Sequence, residues 1–552
     1  MVVANPTPQK QRGAYFTPRR LADFLVRWAV RGPADHVLEP SCGDAIFLRS
    51  AVERLRSFGE PLEPLQVIGF ELEPETAAAA RCLEPSAEII EGDFFAASPG
   101  LDRYDAIVGN PPWVRYHYLN GDMRELALAR ARDEGVTLTK LTSSWAPFLV
   151  HASTFLAPAG RLAFVLPAEL LGTDYAKPIR QFLQRRFARV DVLTFEERVF
   201  PGALVDAVVV LAEGDGPGEV AIHRLQDVSA LEGWSADTAP LPVTERKWSQ
   251  ALVGSAALDA LGQAERHFVA LGDIASVDIG IVTGANHFFL LTDEEAGLAG
   301  LDGKHLHRAI ARASQLPGTS LTLSEWERQG HHGLSIWLFS PDSDDGAAGS
   351  YILAGEAAGV SDAYKCRVRK PWWRLRLPTP PDLFLSYMTS HAPRLVANEA
   401  GVFSTNLVHN VRLRDSATDP RLLATSWLNS ATMLSAELSG RAYGGGVLKL
   451  ETKEAERIFV PRMAGDVVTA LWAVADGVDA MLRDGRLLEA ADIVDGIVLA
   501  ELSSGQRSAL RDGWLDLQGR RKKRDYPPKS SSEAAVGTSS HDLVCARACH
   551  IA

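Results

Sequence analysis

Four short apolar segments near the start of the chain are each followed by a polar side chain, and this repeated pattern constrains the fold more than any other feature. The polar residues are Glu39, Glu71, Asp93 and Asn110. Helical patterns separate the segments, which is the alternation typical of an α/β fold with a mostly parallel, Rossmann-like sheet. Because parallel strands end at the same edge of such a sheet, we expect the four side chains to line one ligand-binding crevice.

The last of these segments runs into the tetrapeptide Asn110-Pro111-Pro112-Trp113. Its two prolines fix φ and carry no N–H, so the backbone cannot continue the ladder of the sheet. Their carbonyls remain available as acceptors, Asn110 adds a side-chain carbonyl, and Trp113 adds a flat apolar face. Together these groups suit an amino group on a planar ring, whereas the tetrapeptide alone would be equally typical of a proline-rich turn.

The other strand ends carry groups suited to a nucleoside-like ligand. Small residues after the first strand, Ser41 and Gly43 among them, permit a close approach to the backbone. The turn lacks the G-x-G-x-x-G spacing of dinucleotide sites, so it predicts no phosphate cradle. An acid at the position of Glu71 bonds ribose hydroxyls in Rossmann-like sheets. Asp93 can accept from an adenine amino group while Phe94 covers the ring, although each acid alone would be typical of a solvated turn.

A helix is expected to begin just before the first strand. Thr17 should cap an amphipathic helix over Leu21 to Val30, with Pro18 at its first position. A hydroxyl beside a free helix N-terminus can also hold a carboxylate, although an ordinary N-cap explains the same residues. Further along, the alternation of strands and helices continues to residue 212, which predicts a seven-stranded sheet that closes with a hairpin.

The composition is that of a soluble globular protein of several domains. With 552 residues and a net charge of −12, the chain must cluster positive charge locally if it binds nucleic acid. Its five cysteines are scattered, which suits a reducing cytoplasm and predicts no disulfide framework. No apolar run is long enough for a membrane span, and the polar start is unlike a signal peptide. We therefore expect a cytoplasmic protein without a membrane partner.

Four regions are expected along the chain. Residues 11–240 form the ligand-binding domain, in which a glycine-rich linker near 214–218 ends the clear alternation. Residues 245–461 form a mixed α/β domain, 466–525 a helical segment, and 526–552 a serine-rich tail of disordered composition. The histidines and cysteines of this tail match no zinc-site spacing, so no metal site is expected.

Two cationic stretches in the second half are candidates for a DNA-facing surface. The first packs six cations around two tryptophans, and the cations are Lys365, Arg367, Arg369, Lys370, Arg374 and Arg376. A basic edge strand with core tryptophans would explain the same stretch. The second, Arg520–Arg524, either contacts phosphate or stays solvated.

Taken together, these motifs resemble the γ-class N6-adenine DNA methyltransferases, TaqI-like in domain order. The similarity extends in detail over about residues 11–213 and more loosely to about residue 461. The matching segments are Gly13–Pro18 for motif X of the family, Leu38–Gly43 for motif I, Gly69–Pro74 for motif II, Gly92–Phe94 for motif III, Asn110–Trp113 for motif IV and Val199–Pro201 for motif VIII. Motif X ahead of motif I, with the recognition region last, is the γ order. Trp113 stands where tyrosine is commoner, which leaves the reaction unchanged.

The resemblance implies S-adenosylmethionine (AdoMet) as the cofactor, lying across the strand ends. Its methionine end would face Glu39 and Thr17, with Ser41 and Gly43 in the motif I turn beside it. Its ribose would face Glu71, and its adenine would face Asp93 and Phe94. Its methyl group would point at Asn110.

The resemblance also implies that the target adenine is flipped out of double-stranded DNA. The side-chain oxygen of Asn110 and the carbonyl of Pro111 would each accept one N–H of the adenine amino group. Trp113 and Phe200 would stack on the two faces of the base, although Phe200 alone would equally be typical of a core residue. The glycine-rich segments near 278–289 and 443–450 resemble the target-recognition loops of the same family.

The sequence thus predicts a site-specific adenine methyltransferase, the protective half of a restriction–modification pair. A cognate restriction endonuclease would act on the same site without forming a stable complex. One alternative is a methyltransferase for an amide or amino group of protein or RNA, but such enzymes are usually much shorter. Another is a catalytically silent, AdoMet-sensing DNA-binding protein, against which the intact set of strand-end residues argues.

Overall fold

The computed structural model describes residues 17–100, 103–114, 121–139, 142–200, 206–238, 248–443, 446–463 and 465–523. The start of motif X and the tail over 526–552 therefore lie outside the described residues. The chain divides into two compact units, of which the first runs to Leu252 and the second extends from Val253 through Lys522. The helical segment that the sequence set apart at 466–525 belongs almost entirely to the second unit.

The first unit alternates strands and helices almost throughout. Its elements are α1 Arg19–Ala29, β1 Val37–Glu39, α2 Ile46–Arg56, β2 Val67–Glu71, α3 Pro74–Leu83, β3 Glu88–Glu91, β4 Tyr104–Gly109, α4 Gly121–Asp133, α5 Trp145–Ser153, β5 Leu156–Pro167, α6 Glu169–Gly172, α7 Lys177–Arg186, β6 Arg189–Phe195, β7 Ala207–Glu213 and β8 Glu219–Leu225. Strands such as β4 and β7 are buried along most of their length, as expected for a sheet covered on both faces.

These strands form one eight-stranded sheet in the order β3-β2-β1-β4-β5-β7-β6-β8. Strand β7 pairs antiparallel with both β5 and β6, and all the other pairings are parallel. The sequence predicted seven strands, so the eighth, β8, is a correction. It follows the predicted linker and forms the edge of the sheet, where only part of its length is buried. That partial burial explains why its apolar pattern is faint.

The second unit mixes short strands with helices. Its elements are α8 Ser255–Ala264, β9 Phe268–Ala270, α9 Leu271–Ile274, β10 Ala275–Ile279, α10 Asn286–Phe289, β11 Leu290–Leu291, α11 Asp293–Leu298, β12 Leu306–Ile310, α12 Leu323–His331, β13 Trp337–Phe339, α13 Gly346–Ala357, α14 Tyr364–Arg367, β14 Leu383–Ser386, β15 Met388–Thr389, β16 Leu395–Ala397, β17 Phe403–Ser404, β18 Val408–Leu413, α15 Pro420–Ser426, α16 Ser430–Ser439, β19 Arg441–Tyr443, β20 Val447–Lys449, α17 Thr452–Ala455, β21 Phe459–Pro461, α18 Gly465–Arg483, α19 Leu487–Val498 and α20 Ser504–Lys523.

Its strands form four small sheets in the orders β10-β18-β14-β16, β11-β13-β12-β17, β15-β20-β19 and β21-β9. Helices α15, α18 and α19 pack together, and Trp427 and Trp514 are fully buried in the same core. The long C-terminal helices thus complete the hydrophobic core of this unit, which is why they do not form a separate domain.

Within the described part of the chain, no helix is both long and apolar enough to cross a bilayer. The same residues contain no cluster of His, Cys, Asp or Glu side chains that could hold a metal ion. The four metal-capable residues of the tail, His541, Cys545, Cys549 and His550, fall outside the described residues.

Candidate active site

The carboxyl ends of four neighbouring strands form a polar edge of the first unit's sheet. Glu71 ends β2, Glu39 ends β1 and Asn110 directly follows β4, while Asp93 lies two residues beyond β3. The strands are adjacent in the order β3-β2-β1-β4 and run parallel. The sheet therefore brings the four predicted side chains to one crevice, at the position where doubly wound sheets bind ligands.

A tight turn between β1 and α2 leaves room beside the backbone in this crevice. Gly43 has a φ of +48°, and a Cβ built on it would meet no atom within 4 Å. Its N–H donates to Oε2 of Glu71 at 3.0 Å, which ties the turn to the end of β2. The Oγ of Ser41 is buried and has no hydrogen-bond partner among the described residues. A buried hydroxyl left in this state beside open backbone is typical of a site that a ligand completes.

The crevice brings together more acidic side chains than its protein partners compensate. Glu39 is 2% exposed, and its Oε2 accepts the N–H of Leu48 at 3.2 Å. Burial, together with the neighbouring carboxylates of Asp44 and Glu71, holds the pKa of Glu39 well above the usual range of a glutamate. Burial also raises the pKa of Asp44. A cationic ligand would offset this repulsion, so the cluster favours one.

Thr17 contacts the Asn110 amide and does not cap the helix that follows. Helix α1 begins at Arg19, Pro18 is the residue before it, and no side chain caps its N-terminus. The buried hydroxyl of Thr17 accepts a hydrogen bond from Nδ2 of Asn110 at 3.3 Å. The prediction of a Thr17 cap with Pro18 at the first helical position is therefore wrong. The observed bond fixes the amide nitrogen toward Thr17 and directs the amide oxygen away from it.

Two serines hold the loop that contains the Pro-Pro pair. Oγ of Ser144 donates to the carbonyl of Pro112 and accepts the N–H of Val114 at 2.9 Å. Oγ of Ser143 and the main-chain N–H of Ser144 both donate to the Val114 carbonyl, each at 3.0 Å. Neither serine was among the predicted site residues. A serine before a helix is ordinarily expected to cap it, but Ser144 makes no such bond to α5.

Trp113 and Phe200 are both buried and contact each other edge to face. Their ring centroids are 5.7 Å apart, and the ring planes make an angle of 75°. The sequence predicted that these rings stack on opposite faces of an adenine. A base needs two roughly parallel rings about two stacking distances apart, and rings in direct contact leave no such slot. The structure therefore brings the pair together without an open slot between the rings, and their stacking on an adenine stays a prediction. Residues 201–205 lie outside the described residues.

Asp93 and Phe94 form a capped turn after β3. Oδ1 of Asp93 accepts the N–H of Phe95 at 3.0 Å and so caps the 3₁₀ turn Phe94–Ala96. Phe94 is 3% exposed, and its ring packs 4.9 Å from that of Phe155. Phe94 therefore belongs mainly to the core. Its contact with an adenine ring stays a prediction that only the exposed edge of the side chain can fulfil.

The cationic stretch of the second unit exposes five of its six predicted cations, namely Lys365, Arg367, Lys370, Arg374 and Arg376. Arg369 is instead a structural residue, because its guanidinium donates to the carbonyls of Val282, Thr283 and Trp372. Burial lowers the pKa of Arg369. Assigning Arg369 to the DNA-facing set is therefore a mistake, since its hydrogen bonds are already made within the protein.

The second cationic run is largely turned inward. Arg521 pairs with Glu437 at 2.7 Å, and both side chains are 3% exposed. Its guanidinium also donates to four main-chain carbonyls, those of Thr389, Ser390, His391 and Gly446. Arg520 is buried as well and pairs with Asp516. The prediction that this run contacts phosphate or stays solvated is wrong for Arg520 and Arg521, and Arg524 lies outside the described residues.

Comparisons with known proteins agree with this division of the chain. Residues 3–217 match the family model of N-6 DNA methylases. Residues 245–499 match the C-terminal domain of the type II methyltransferase M.Eco57I. The second match reaches beyond residue 461 into the helical segment, as the boundaries of the second unit do.

Two curated relatives are similar along most of their length. The type II methyltransferase M.AccI of Acinetobacter calcoaceticus is 24% identical over 81% of this chain and 84% of its own length. The type II methyltransferase M.XamI of Xanthomonas campestris pv. amaranthicola is 25% identical, with 82% and 85% covered. Among solved structures, the DrdV–DNA complex has a similar fold, with a TM-score of 0.52 and 12% identity. That likeness covers 87% of this chain but 58% of the DrdV chain.

The family matches and the arrangement of the crevice support each other. The N-6 DNA methylase model spans all four polar strand ends, and Asn110-Pro111-Pro112-Trp113 follows the strand beside β1. The first unit thus corresponds to the N-6 DNA methylase family, and the chain is similar along most of its length to type II methyltransferases.

Proposed function

We propose that the protein is a site-specific DNA methyltransferase that transfers a methyl group from AdoMet to N6 of adenine in double-stranded DNA. The observation that carries this proposal is the position of Asn110-Pro111-Pro112-Trp113 directly after β4, beside the acid-rich ends of β1 and β2. The type II methyltransferases among its relatives support a role as the modification component of a restriction–modification system.

The residues of the crevice fit AdoMet as the cofactor. Its sulfonium and amino groups are cationic, and they would offset the negative charge around Glu39 and Glu71. The buried hydroxyl of Ser41 and the open backbone at Gly43 lie in the same turn. Asp93 has one carboxylate oxygen engaged by the turn that it caps, and the other oxygen is the candidate acceptor for the adenine amino group. When bound, AdoMet supplies an electrophilic methyl group.

Asn110 and Pro111 orient the amino group that receives the methyl. The lone pair of N6 is delocalised into the adenine ring, so the nitrogen must be drawn toward tetrahedral geometry before it reacts. Two acceptors at fixed angles, Oδ1 of Asn110 and the carbonyl of Pro111, hold one N–H each. Thr17 orients the amide by accepting from Nδ2 of Asn110, which directs the amide oxygen away from Thr17. Catalysis of this kind relies on positioning and on preorganised dipoles.

The aromatic pair controls how a flipped base enters. Duplex DNA hides N6 in the base stack, so the adenine must leave the stack at a cost of a few kcal/mol. Stacking on an aromatic side chain returns about 1–3 kcal/mol per base. Because Trp113 and Phe200 contact each other, at least one of the two rings must move when the base enters.

In this proposal, the exposed cations of the second unit form the surface that contacts DNA. Lys365, Arg367, Lys370 and Arg376 are exposed on one short segment, which consists of helix α14 and the residues that follow it, in a protein whose net charge is −12. Local cationic clusters of this kind set affinity for phosphate even when the whole protein is acidic. A cognate endonuclease would read the same site without binding this protein stably.

The match of the second unit to a type II methyltransferase domain favours DNA over the two alternative functions. A protein- or RNA-directed methyltransferase has no need of such a domain. A silent AdoMet sensor would have no need of the Asn110 amide held by Thr17.

A direct assay separates these functions. The purified protein is incubated with methyl-labelled AdoMet and unmethylated duplex DNA, and the DNA is digested to nucleosides. We expect the label in N6-methyldeoxyadenosine, and long-read sequencing of a host that expresses the gene should place it in one short sequence context. Label in a cytosine nucleoside, label only in protein or RNA, or AdoMet binding without transfer would each contradict the proposal.

A further inference from the structure

The loop that carries the catalytic motif is fastened to the start of helix α5. Ser144 immediately precedes this helix and is 2% exposed. Its Oγ donates to the carbonyl of Pro112 and accepts the N–H of Val114 at 2.9 Å. Its main-chain N–H also donates to the carbonyl of Val114 at 3.0 Å. One residue, 32 positions along the chain from Pro112, thus makes three hydrogen bonds to the loop.

The two prolines explain why this loop needs an outside partner. Pro111 and Pro112 have no N–H, so they cannot join a ladder or a turn as donors. The carbonyl of Pro112 and both main-chain groups of Val114 are satisfied by Ser144 and its neighbour Ser143. The backbone on either side of Trp113 is therefore held by Ser143 and Ser144 rather than by the sheet.

Ser144 is itself attached to a firm base. Helix α5 is buried at every one of its residues. Its first residue, Trp145, donates from Nε1 to the hydroxyl of Tyr175 at 3.2 Å, and that hydroxyl donates to the carboxylate of Glu169. Because Ser144 is held in place by this helix, the position of the loop depends on the position of the helix.

We propose that Ser144 is a positioning residue that selects which proline carbonyl receives the substrate amino group. By holding the carbonyl of Pro112, Ser144 leaves the carbonyl of Pro111 as the main-chain acceptor next to Asn110. This inference rests on the proposed methyl transfer to an amino group, and it adds a residue that touches neither cofactor nor substrate. Loss of the hydroxyl lets the Pro-Pro segment rotate, so the two acceptors no longer converge on one nitrogen.

The experiment compares single-turnover rates and dissociation constants in the full-length protein. Ser144→Ala should lower the methyl-transfer rate by roughly 10- to 100-fold, because misplacement by about 1 Å costs up to about 10²-fold. The dissociation constants for AdoMet and for specific duplex DNA should change less than about 3-fold. Ser144→Thr retains the hydroxyl and should recover most of the rate. A general loss of stability would not lower the methyl-transfer rate while leaving the dissociation constants nearly unchanged.

Two matched serines complete the design. Ser153 is equally buried at the other end of α5, but its Oγ donates to the carbonyl of Val150 at 2.7 Å, within its own helix. Ser153→Ala should therefore keep the wild-type rate. Ser143→Ala removes only one bond, to Val114, and should lower the rate less than Ser144→Ala does.

The possible failures are distinguishable. If the wild-type protein transfers no methyl group to DNA, the proposed function fails. If the wild type is active and Ser144→Ala keeps its rate within about twofold, the positioning role of Ser144 is overturned. Should Ser144→Ala not fold, Ser144→Cys is measured instead, since a thiol of similar size is a weak donor. A wild-type rate in Ser144→Cys would overturn the inference equally.

Discussion

Glu39 in the first unit and Arg521 in the second are both buried charged side chains, but their surroundings are opposite. In the first unit, Glu39 is buried beside two further acids, Asp44 and Glu71, and its pKa is driven upward. In the second unit, Arg521 is buried to the same degree but meets Glu437 and four main-chain carbonyls. The site of Glu39 therefore has an excess of acidic groups, whereas the charge of Arg521 is neutralised by groups of the protein itself.

The difference separates a binding site from a structural one. A buried charge that its protein does not compensate costs stability and persists where a ligand completes it. A buried charge with a full set of partners needs no ligand, and removing one partner is what destabilises the fold. By the same criterion, Arg369 is a structural residue like Arg521, because protein carbonyls accept its hydrogen bonds. Arg367 is exposed instead, so it is available for a partner such as DNA.

The largest effect is expected at Asn110, in the charge-rich crevice of the first unit. Asn110→Ala should lower the methyl-transfer rate on the order of 10³-fold, because it removes an acceptor that acts on the reacting amino group. Affinities for AdoMet and DNA should stay within a few-fold of the wild type. Single-turnover kinetics with labelled AdoMet measure the rate. Near-normal turnover in this variant would show that the crevice does not perform the chemistry.

Arg521→Ala should produce the largest loss of stability. Leaving Glu437 buried and unpaired is expected to lower the free energy of unfolding of the second unit by about 3–5 kcal/mol. Lys522→Ala is the matched control, because Lys522 is exposed on the same helix and should change stability by less than about 0.5 kcal/mol. Urea denaturation measures both. If the free energy of unfolding changed equally little in both variants, the buried Arg521–Glu437 pair would not support the fold. The contrast with the site around Glu39 would then fail.

The exposed loop cations should act on DNA binding and not on stability. Replacing Arg367, Lys370 and Arg376 with Ala removes up to three phosphate contacts, which should flatten the plot of log K against log salt by about 2–3. Arg369→Ala should leave that slope unchanged and lower stability instead, since its partners are protein carbonyls. Fluorescence titrations with duplex DNA at several salt concentrations give the slopes. An unchanged slope in the triple variant would place the DNA-binding surface elsewhere.

The smallest effect is a pH dependence of cofactor affinity. Because the folded protein raises the pKa of Glu39, it holds a proton that the unfolded chain has already lost, so stability without AdoMet falls as pH rises through this range. A cationic cofactor favours the ionised carboxylate. Its dissociation constant should therefore decrease with rising pH above the usual range of a glutamate, by up to about tenfold per pH unit for one coupled proton.

Calorimetric titration of AdoMet across pH measures this dependence. Glu39→Gln should flatten it and weaken binding, because it removes the carboxyl whose pKa the fold raises. If the affinity of Glu39→Gln for AdoMet kept the pH dependence of the wild type, the titrating group would not be Glu39.

The positions of the strand-end residues could be predicted because the parallel topology determines them. Once a segment such as Tyr104–Gly109 is recognised as a buried strand, the residue that follows it must lie at the carboxyl edge. The edge strand β8 was missed because it is only partly buried, and its pattern weakens accordingly. The apolar pattern of the sequence therefore predicts where the crevice lies, but it does not predict the edge strand of the sheet.

The contacts of Thr17 and Ser144 could not be predicted, because their partners are distant in sequence. Asn110 lies 93 residues from Thr17, and Pro112 lies 32 residues from Ser144. The local rule for both residues is helix capping, and tertiary contacts override it in each case. Arg521 shows the same limit, since its partner Glu437 is 84 residues away and composition alone cannot tell a buried arginine from an exposed one.

The edge-to-face contact of Trp113 with Phe200 has a consequence for target choice. Entry of a base becomes an exchange, in which one ring–ring contact is given up for ring–base contacts. The exchange sets a threshold, because a base must stack well enough to replace what the two rings lose. A purine, with its larger surface, exceeds that threshold more readily than a pyrimidine. Under the proposed function, the resting contact between the rings would select bases by ring size before any hydrogen bond to Asn110 is made.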